Sequence, residues 1–338
     1  MRLGVDVMGG DNAPDEILKG CLACLPLLPP TDELVLVGDG PTIHETLAER
    51  GIRDPRIQVV ATTEVVGMDE PPVEAIRSKK DSSLVVMARM ASPKEPNRLD
   101  AIVSAGNTGA MVSAAQMHMR RLPSVVRPGI AVTVPTFAGA MVLIDVGANI
   151  EPKPMHLAQY GVMGDIYARQ ILNVANPRVA IMNVGGEEQK GTDEMRQARD
   201  LLRAQEGLNF IGFVEGRGVF DGEADVVITD GVVGNVMIKL AEGLSSGIFR
   251  ALGREILEHD PHLATRLEPI VKRLYAKHDY HEYGGAPLLG VNGVCLISHG
   301  SSVARTITNA IVRARAFVQT GVNDAICRGL ARMEELAA

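Results

Sequence analysis

Five short segments carry residue types suited to anion chemistry. They read Ser104-Ala105-Gly106-Asn107-Thr108-Gly109, Asp145-Val146-Gly147-Ala148-Asn149, Asn183-Val184-Gly185-Gly186-Glu187, Thr229-Asp230-Gly231-Val232-Val233-Gly234-Asn235 and Ser298-His299-Gly300-Ser301-Ser302. Each follows an apolar, β-branched run. Glycine lets backbone N–H groups approach a ligand closely, and the start of a helix presents unsatisfied N–H groups that favour negative charge. A single turn of this kind can close a strand-to-helix connection for steric reasons alone. Five of them, rich in Asn, Ser, Thr, Asp and His, point to a phosphate-bearing or phosphate-like ligand.

The elements that must position these turns follow from the hydrophobic pattern. Strands are predicted at Arg2–Val7, Glu33–Val37, Arg56–Ala61, Asp100–Val103, Ile130–Val134, Met141–Val146, Arg178–Val184, Asn209–Val214, Asp225–Thr229 and Val294–Ser298. Between most of them lie stretches of period near 3.6, such as Pro14–Leu28, Val73–Met90, Ala110–Arg121, His156–Leu172, Asp193–Gln205 and Ser301–Gln319. That alternation predicts an α/β fold, a mostly parallel sheet flanked by helices, whose ligands gather at the carboxyl ends of the strands. No repeat, linker or domain boundary is readable, so residues 1–338 are expected to form a single α/β unit, or two lobes whose boundary the sequence does not mark.

Composition excludes several classes. The 338 residues carry a net charge of −7, from 34 Lys and Arg against 41 Asp and Glu, with 3% aromatics and no Trp. Neither a clustered basic face nor a stacking platform for nucleic acid is present. The opening residues read as a strand and not as a signal peptide. The most apolar stretches, such as Gly139–Val146, fall short of the ~20 residues of a membrane span. A cytoplasmic protein is expected, unless it lies on a membrane surface. Cys21 and Cys24 form a lone C-x-x-C inside a helical stretch, with no second pair at zinc spacing, and read as buried packing. Gly186 to Gly191 has P-loop spacing, but Thr192 stands where the lysine belongs. Gly216-Arg217-Gly218 lacks the third glycine of a dinucleotide fingerprint. Gly243-Leu244-Ser245-Ser246-Gly247 matches G-x-S-x-G by letter but lies in a helical stretch, where a nucleophile elbow cannot form.

Six segments in series resemble one family, the bacterial phosphate acyltransferases that make acyl-phosphate from acyl-acyl carrier protein. They are Val5–Pro14, Ser104–Ala110, Asp145–Asn149, Asn183–Gly191, Val227–Asn235 and Tyr283–Gly290. The family is similar to phosphotransacetylases and shares the isocitrate/isopropylmalate dehydrogenase-like architecture. The resemblance implies a reversible, phosphate-dependent acyl transfer feeding phospholipid synthesis, without cofactor, metal or nucleotide. It also implies a homodimer. A downstream membrane glycerol-phosphate acyltransferase is a further possible partner.

That chemistry asks for specific groups. Phosphate attacks a thioester carbonyl, so the protein must hold a dianion, stabilise the oxyanion and let a thiolate leave. Thiols have a pKa near 8.5, so strong acid assistance is optional. No protein nucleophile is needed, and positioning with oriented dipoles carries the rate. Lys190, after the Gly185-Gly186 turn, is the first choice for the cation, or it is a solvated surface lysine. Asn235 and Asp230 flank a glycine-rich turn, where Asn235 could donate to the anion; the bland alternative is turn formation and helix capping. Ser104, Asn107 and Thr108 offer a second cradle with the same alternative. Asp145 and Asn149 could orient Lys190 or the thiol. His299 could shuttle a proton or cap a helix. Asp6 and Asp11 could order the first loop.

Acyl carrier proteins are acidic, so a docking patch should be basic. The candidates are Arg77, Lys79 and Lys80, and the cluster Arg120, Arg121 and Arg127; either could be an ordinary solvated face. A helical excursion over roughly residues 236–280 carries one apolar stripe through Leu244, Ile248 and Leu252 and another through Leu263, Leu267 and Ile270. It suits a membrane-surface element, a dimer interface or core packing. Two rival readings are a phosphotransacetylase using acyl-coenzyme A and a non-catalytic membrane-surface scaffold. A dehydrogenase of the same fold would want a metal-binding Asp cluster, and none is apparent.

Overall fold

The computed structural model describes residues 1–277 and 284–337. Tyr283, which opens the sixth motif, and residues 278–280 of the excursion lie outside the described residues. The strands are β1 (Arg2–Asp6), β2 (Glu33–Gly38), β3 (Ile57–Ala61), β4 (Ala101–Ser104), β5 (Gly129–Thr136), β6 (Gly139–Ile144), β7 (Val179–Met182), β8 (Phe210–Val214), β9 (Val226–Ile228), β10 (Ala286–Leu289) and β11 (Val294–Ile297). The helices are α1 (Asp15–Cys24), α2 (Gly40–Glu49), α3 (Pro72–Ser78), α4 (Ser83–Met90), α5 (Thr108–His118), α6 (Pro154–Ile171), α7 (Asp193–Arg203), α8 (Gly216–Asp221), α9 (Gly231–His259), α10 (Pro261–Lys277), α11 (Ala304–Thr320) and α12 (Val322–Ala337).

The strands join one sheet in the order β3-β2-β1-β4-β11-β10-β5-β6-β9-β7-β8. Pairing is parallel from β3 to β11 and again from β6 to β8. The three pairings at the centre, β11–β10, β10–β5 and β5–β6, are antiparallel. The expected mostly parallel sheet flanked by helices is therefore found, with a correction. The two parallel halves run in opposite senses, because an odd number of antiparallel pairings joins them.

Register decides what this does to the strand ends. Ala131 pairs with Ile144, Ile130 with Leu288, Pro287 with Leu296, and Leu296 with Val103. The last residue of β6 thus lies level with the next-to-last residue of β4. The carboxyl ends of the two halves meet at the central join from opposite directions, and a site can form there.

One face of the sheet is covered continuously. Side chains of α1, α2, α6, α7, α11 and α12 share one apolar core with it, including the fully buried Tyr160 and Tyr167. The other face has two cores. One lies under α4 and α5, the other under α8 and the first turns of α9. Val132 and Val146 touch both, so the gap between the two helix groups lies over β5 and its neighbours.

Several element boundaries differ from the reading of the sequence. The single helix expected over Val73–Met90 is two, α3 and α4, because Lys79 leaves helical geometry with φ −95° and ψ 70°. β10 is a four-residue strand containing Pro287, too short to show a period. Helix α2 starts on the Asp39 side chain, which accepts from Thr42 N, but has only two apolar residues facing the core.

The excursion is corrected most. It begins at Gly231, directly after the capping residue Asp230, and α9 runs for 29 residues. At 1.5 Å per residue that is about 44 Å. Only Gly231 and Gly234 in it are buried. By length and composition α9 contains a stretch long and apolar enough to cross a membrane, contrary to the expectation that no segment would be. Asn235, Lys239, Glu242 and Arg250 break its apolar residues into short groups such as Val236-Met237-Ile238, so no continuous apolar run of membrane length marks it in the sequence.

Candidate active site

The gap over β5 is a cleft of about 140 Å³. Its floor is apolar, formed by Ile130, Val132, Val146 and Ile297. Polar groups enter from three sides. Thr108 comes from the first residue of α5; Asn235, Lys239 and Glu242 come from α9; Ser298 and His299 follow β11. Asn235, Lys239 and Glu242 are four and three residues apart, so the helical period places them on one face.

The strand-end turns of the first half are locked together around this cleft. Ser104 Oγ donates to Asp6 Oδ2 at 2.7 Å and accepts from Gly106 N at 3.0 Å. Burial pushes the Asp6 carboxyl above its ordinary value, against hydrogen bonds from Ser83 and Ser104. Asp11 N donates to Gly300 O at 2.8 Å, and Asn12 Nδ2 donates to Ser301 O and Ser302 O. Asp6 also orders the first loop, its Oδ1 accepting from Met8 N, whereas Asp11 contributes there through its backbone N–H. A Cβ on Gly9 would come within 2.8 Å of Gly106 N, so only glycine allows this approach.

Most expected anion donors are occupied. Asn107 Oδ1 caps α5 by accepting from Ala110 N, while Nδ2 donates to the carbonyls of Gly67, Met68 and Glu70. It straps the 67–70 loop to the helix start. The Ser104 hydroxyl is buried on Asp6. Of that cradle, Thr108 alone opens into the cleft.

Asp145 and Asn149 also act inward. Asp145 accepts from the N–H groups of Ile130, Ala148 and Asn149. Burial pushes its carboxyl up to about 6, against the pull of those amides. Asn149 Nδ2 donates to Pro128 O and to Tyr160 Oη, and its carbonyl accepts from Gly231 N. Together they fix the end of β6 to the first residue of α9. Asp230 Oδ1 caps that helix, accepting from Val232 N and Val233 N at 2.9 Å each. Neither Asp145 nor Asn149 contacts Lys190.

Lys190 is not among the residues lining the cleft. Its loop follows β7, which β9 separates from β6. Its ammonium pairs with Glu187 at 2.7 Å, and its carbonyl accepts from Asn183 Nδ2. The Lys190 side chain lies over Gly185, whereas Gly186 has open space around it. His299 does reach the cleft, with Nδ1 on Ser301 Oγ at 2.7 Å.

Several polar cleft residues carry no mark of their own in the sequence, Lys239, Glu242 and Ser298 among them. Lys239 looks like any solvated helix lysine, yet its spacing of four from Asn235 was a readable signal. Ser298 stood in a quoted turn without being singled out. Its hydroxyl is buried and has no hydrogen-bond partner.

The docking candidates separate. Arg77 lies on α3, which packs on the start of α5: a Cβ on Gly109 would meet Pro72 Cγ at 2.6 Å. Lys79 pairs with Glu70, and Lys80 is exposed. Arg120 and Arg121 follow the far end of α5, where Arg121 donates to Val126 O and Arg120 O accepts from Asn292 N. Arg127 is exposed nearby in sequence.

Residues 1–325 match the family described as "Fatty acid synthesis protein". A "Phosphate acyltransferase" of Desulfitobacterium hafniense (strain DSM 10664 / DCB-2) is 45% identical over 335 residues, covering 98% of each chain. The chain belongs to this family. A "Phosphate acyltransferase" of Heliobacterium modesticaldum is also 45% identical, over 94% of each chain. Among solved structures, a phosphotransacetylase from Streptococcus pyogenes superposes with a TM-score of 0.61 at 16% identity, over 94% of each chain. The EutD phosphotransacetylase from Staphylococcus aureus gives 0.57 at 14% identity. These two likenesses show the fold alone.

Proposed function

We propose that the chain transfers a long-chain acyl group from acyl-acyl carrier protein to inorganic phosphate, in the service of phospholipid synthesis. The observation that carries this reading is the cleft itself, where polar groups of α5, α9 and the β11 turn face an apolar floor at the join of the sheet. The polar rim suits phosphate, and the floor suits the first carbons of an acyl chain. Membership of the family supplies the reaction class.

The step balances without a protein nucleophile. An oxygen of HPO₄²⁻ bonds to the thioester carbonyl carbon. The tetrahedral adduct collapses, the C–S bond breaks, and sulfur leaves with the electron pair. It takes up the proton that the phosphate carried, giving a thiol and an acyl-phosphate dianion. In this reading His299 passes that proton, and Asn235 and Thr108 donate to the adduct. Lys190 takes part if its loop swings toward the join, exchanging Glu187 for the anion.

The test incubates purified protein with phosphate and either acyl-acyl carrier protein or acyl-coenzyme A, trapping acyl-phosphate as hydroxamate. Product from the carrier-protein donor in clear preference is expected. Equal or better use of the coenzyme A donor would assign a phosphotransacetylase, and liposome binding without product from either donor would assign a scaffold.

For the carrier protein we favour the α3 patch of Arg77 and Lys80. It adjoins the helix start that opens into the cleft, whereas Arg120 and Arg121 lie the length of α5 away, about 16 Å at 1.5 Å per residue. The exposed stripe of Val236, Leu240, Leu244 and Ile248 on α9 favours a homodimer formed through α9 and α10, with peripheral contact at the inner membrane face of a cytoplasmic protein as its second use. Sedimentation and liposome flotation separate the two uses.

A further inference from the structure

Lys239, from α9, and Ser298, from the turn after β11, line the same cleft, and neither side chain is committed to the fold. Lys239 forms no ion pair among the described residues, although Glu242 lies three residues further along the same helix. The Ser298 hydroxyl is buried, with the residue 2% exposed, and is left without a partner. Leaving a buried hydroxyl unpaired costs stability, so a position of this kind needs a reason outside folding. Gly285 stands against that hydroxyl with φ +99°, and a Cβ there would lie 3.0 Å from Ser298 Oγ. A glycine keeps that approach clear.

Resting on the acyl-transfer reading, we infer that Lys239 and Ser298 form the phosphate-holding site of the cleft, with the ammonium carrying the charge and the hydroxyl fixing one oxygen. Glu242 would repel a dianion, which places the phosphate toward Asn235 and Thr108 rather than deeper along α9. An unpaired ammonium beside an apolar floor attracts a dianion more strongly than one already neutralised by a carboxylate. Lys190, held on Glu187, is the weaker resident cation for this position.

The test is made on the full chain with Lys239→Ala, Lys239→Arg and Ser298→Ala. Steady-state kinetics give separate KM values for phosphate and for the acyl donor, and calorimetry measures inorganic phosphate binding without turnover. Lys239→Ala should lower kcat/KM for phosphate by about 10²–10³, the scale for losing a charged stabiliser. The donor KM should stay within about two-fold, and Lys239→Arg should restore part of the loss. Ser298→Ala should weaken phosphate binding about ten-fold while Tm stays level or rises, since an unpaired buried hydroxyl is removed. Unchanged phosphate KM in Lys239→Ala overturns the inference, as does unchanged phosphate binding in both Ala variants. A wild-type protein that binds phosphate through these residues but makes no acyl-phosphate from any thioester overturns the acyl-transfer reading and leaves the site standing.

Discussion

Asp145 is a buried carboxyl that holds three backbone amides, with its pKa raised from an ordinary 3.8 to about 6. A carboxyl raised by folding keeps its proton in the folded state after the unfolded chain has lost it. Its contribution is therefore full below pH 4 and declines as pH rises to 6, by at most about 3 kcal/mol. We expect urea unfolding to show that decline between pH 4 and 6.5, and Asp145→Asn to remove it while lowering stability at every pH through mismatched amide bonds. A slope equal in both proteins would assign the pH dependence elsewhere. Site residues of this inward kind were legible as residues but not as roles. Asp145, Asn149, Asn107 and Ser104 stand in the right turns, but only the folded chain brings up the neighbouring N–H and carbonyl groups that absorb their hydrogen-bonding capacity. Lys239 failed in the opposite way, since its place in an amphipathic helix gave it no local mark.

At the scale of elements, the start of α5 is where fold and site meet. Asn107 both caps the helix and straps the 67–70 loop, so Asn107→Ala should cost about 2–3 kcal/mol, from a lost cap and unpaired carbonyls. Urea melts check this, and a loss below about 1 kcal/mol would show that the loop is held by other means. The α3 patch beside it makes a separate claim. Arg77→Glu should raise KM for the carrier-protein donor about ten-fold, most strongly at low salt, and leave the phosphate KM alone. Arg121→Glu should do neither, and the reverse result would move the docking surface to the far end of α5. The long helix α9 was legible only as an excursion. Its first four turns build the cleft wall through Asn235, Lys239 and Glu242, while the exposed stripe begins at Val236 within the same turns and runs on past them, a division that no break in the sequence marks.

At the scale of the whole molecule, the alternation of strands and helices predicted the α/β class correctly because each βα unit carries its own pattern. What it could not predict was the reversal at the centre, which depends on the four-residue strand β10 and on which strands pair. That reversal is why the turns after β4 and β11 face the elements that follow β6 and β9. The position of β11 has a further consequence, for the order in which the protein can be made. It pairs with β4 on one side and β10 on the other, so the middle of the sheet is completed by residues 286–297. Until a ribosome has released those residues, β4 ends the first half as a bare edge with unpaired backbone groups, a template for aggregation. A chain cut after residue 277 should therefore be insoluble or rapidly proteolysed, although it contains nine of the eleven strands described. A soluble, protease-resistant fragment of that length would show that the first half seals its own edge. As the sheet stands, synthesis must run almost to its end before either half is safe, and the nascent chain is a natural client for chaperones through most of its translation.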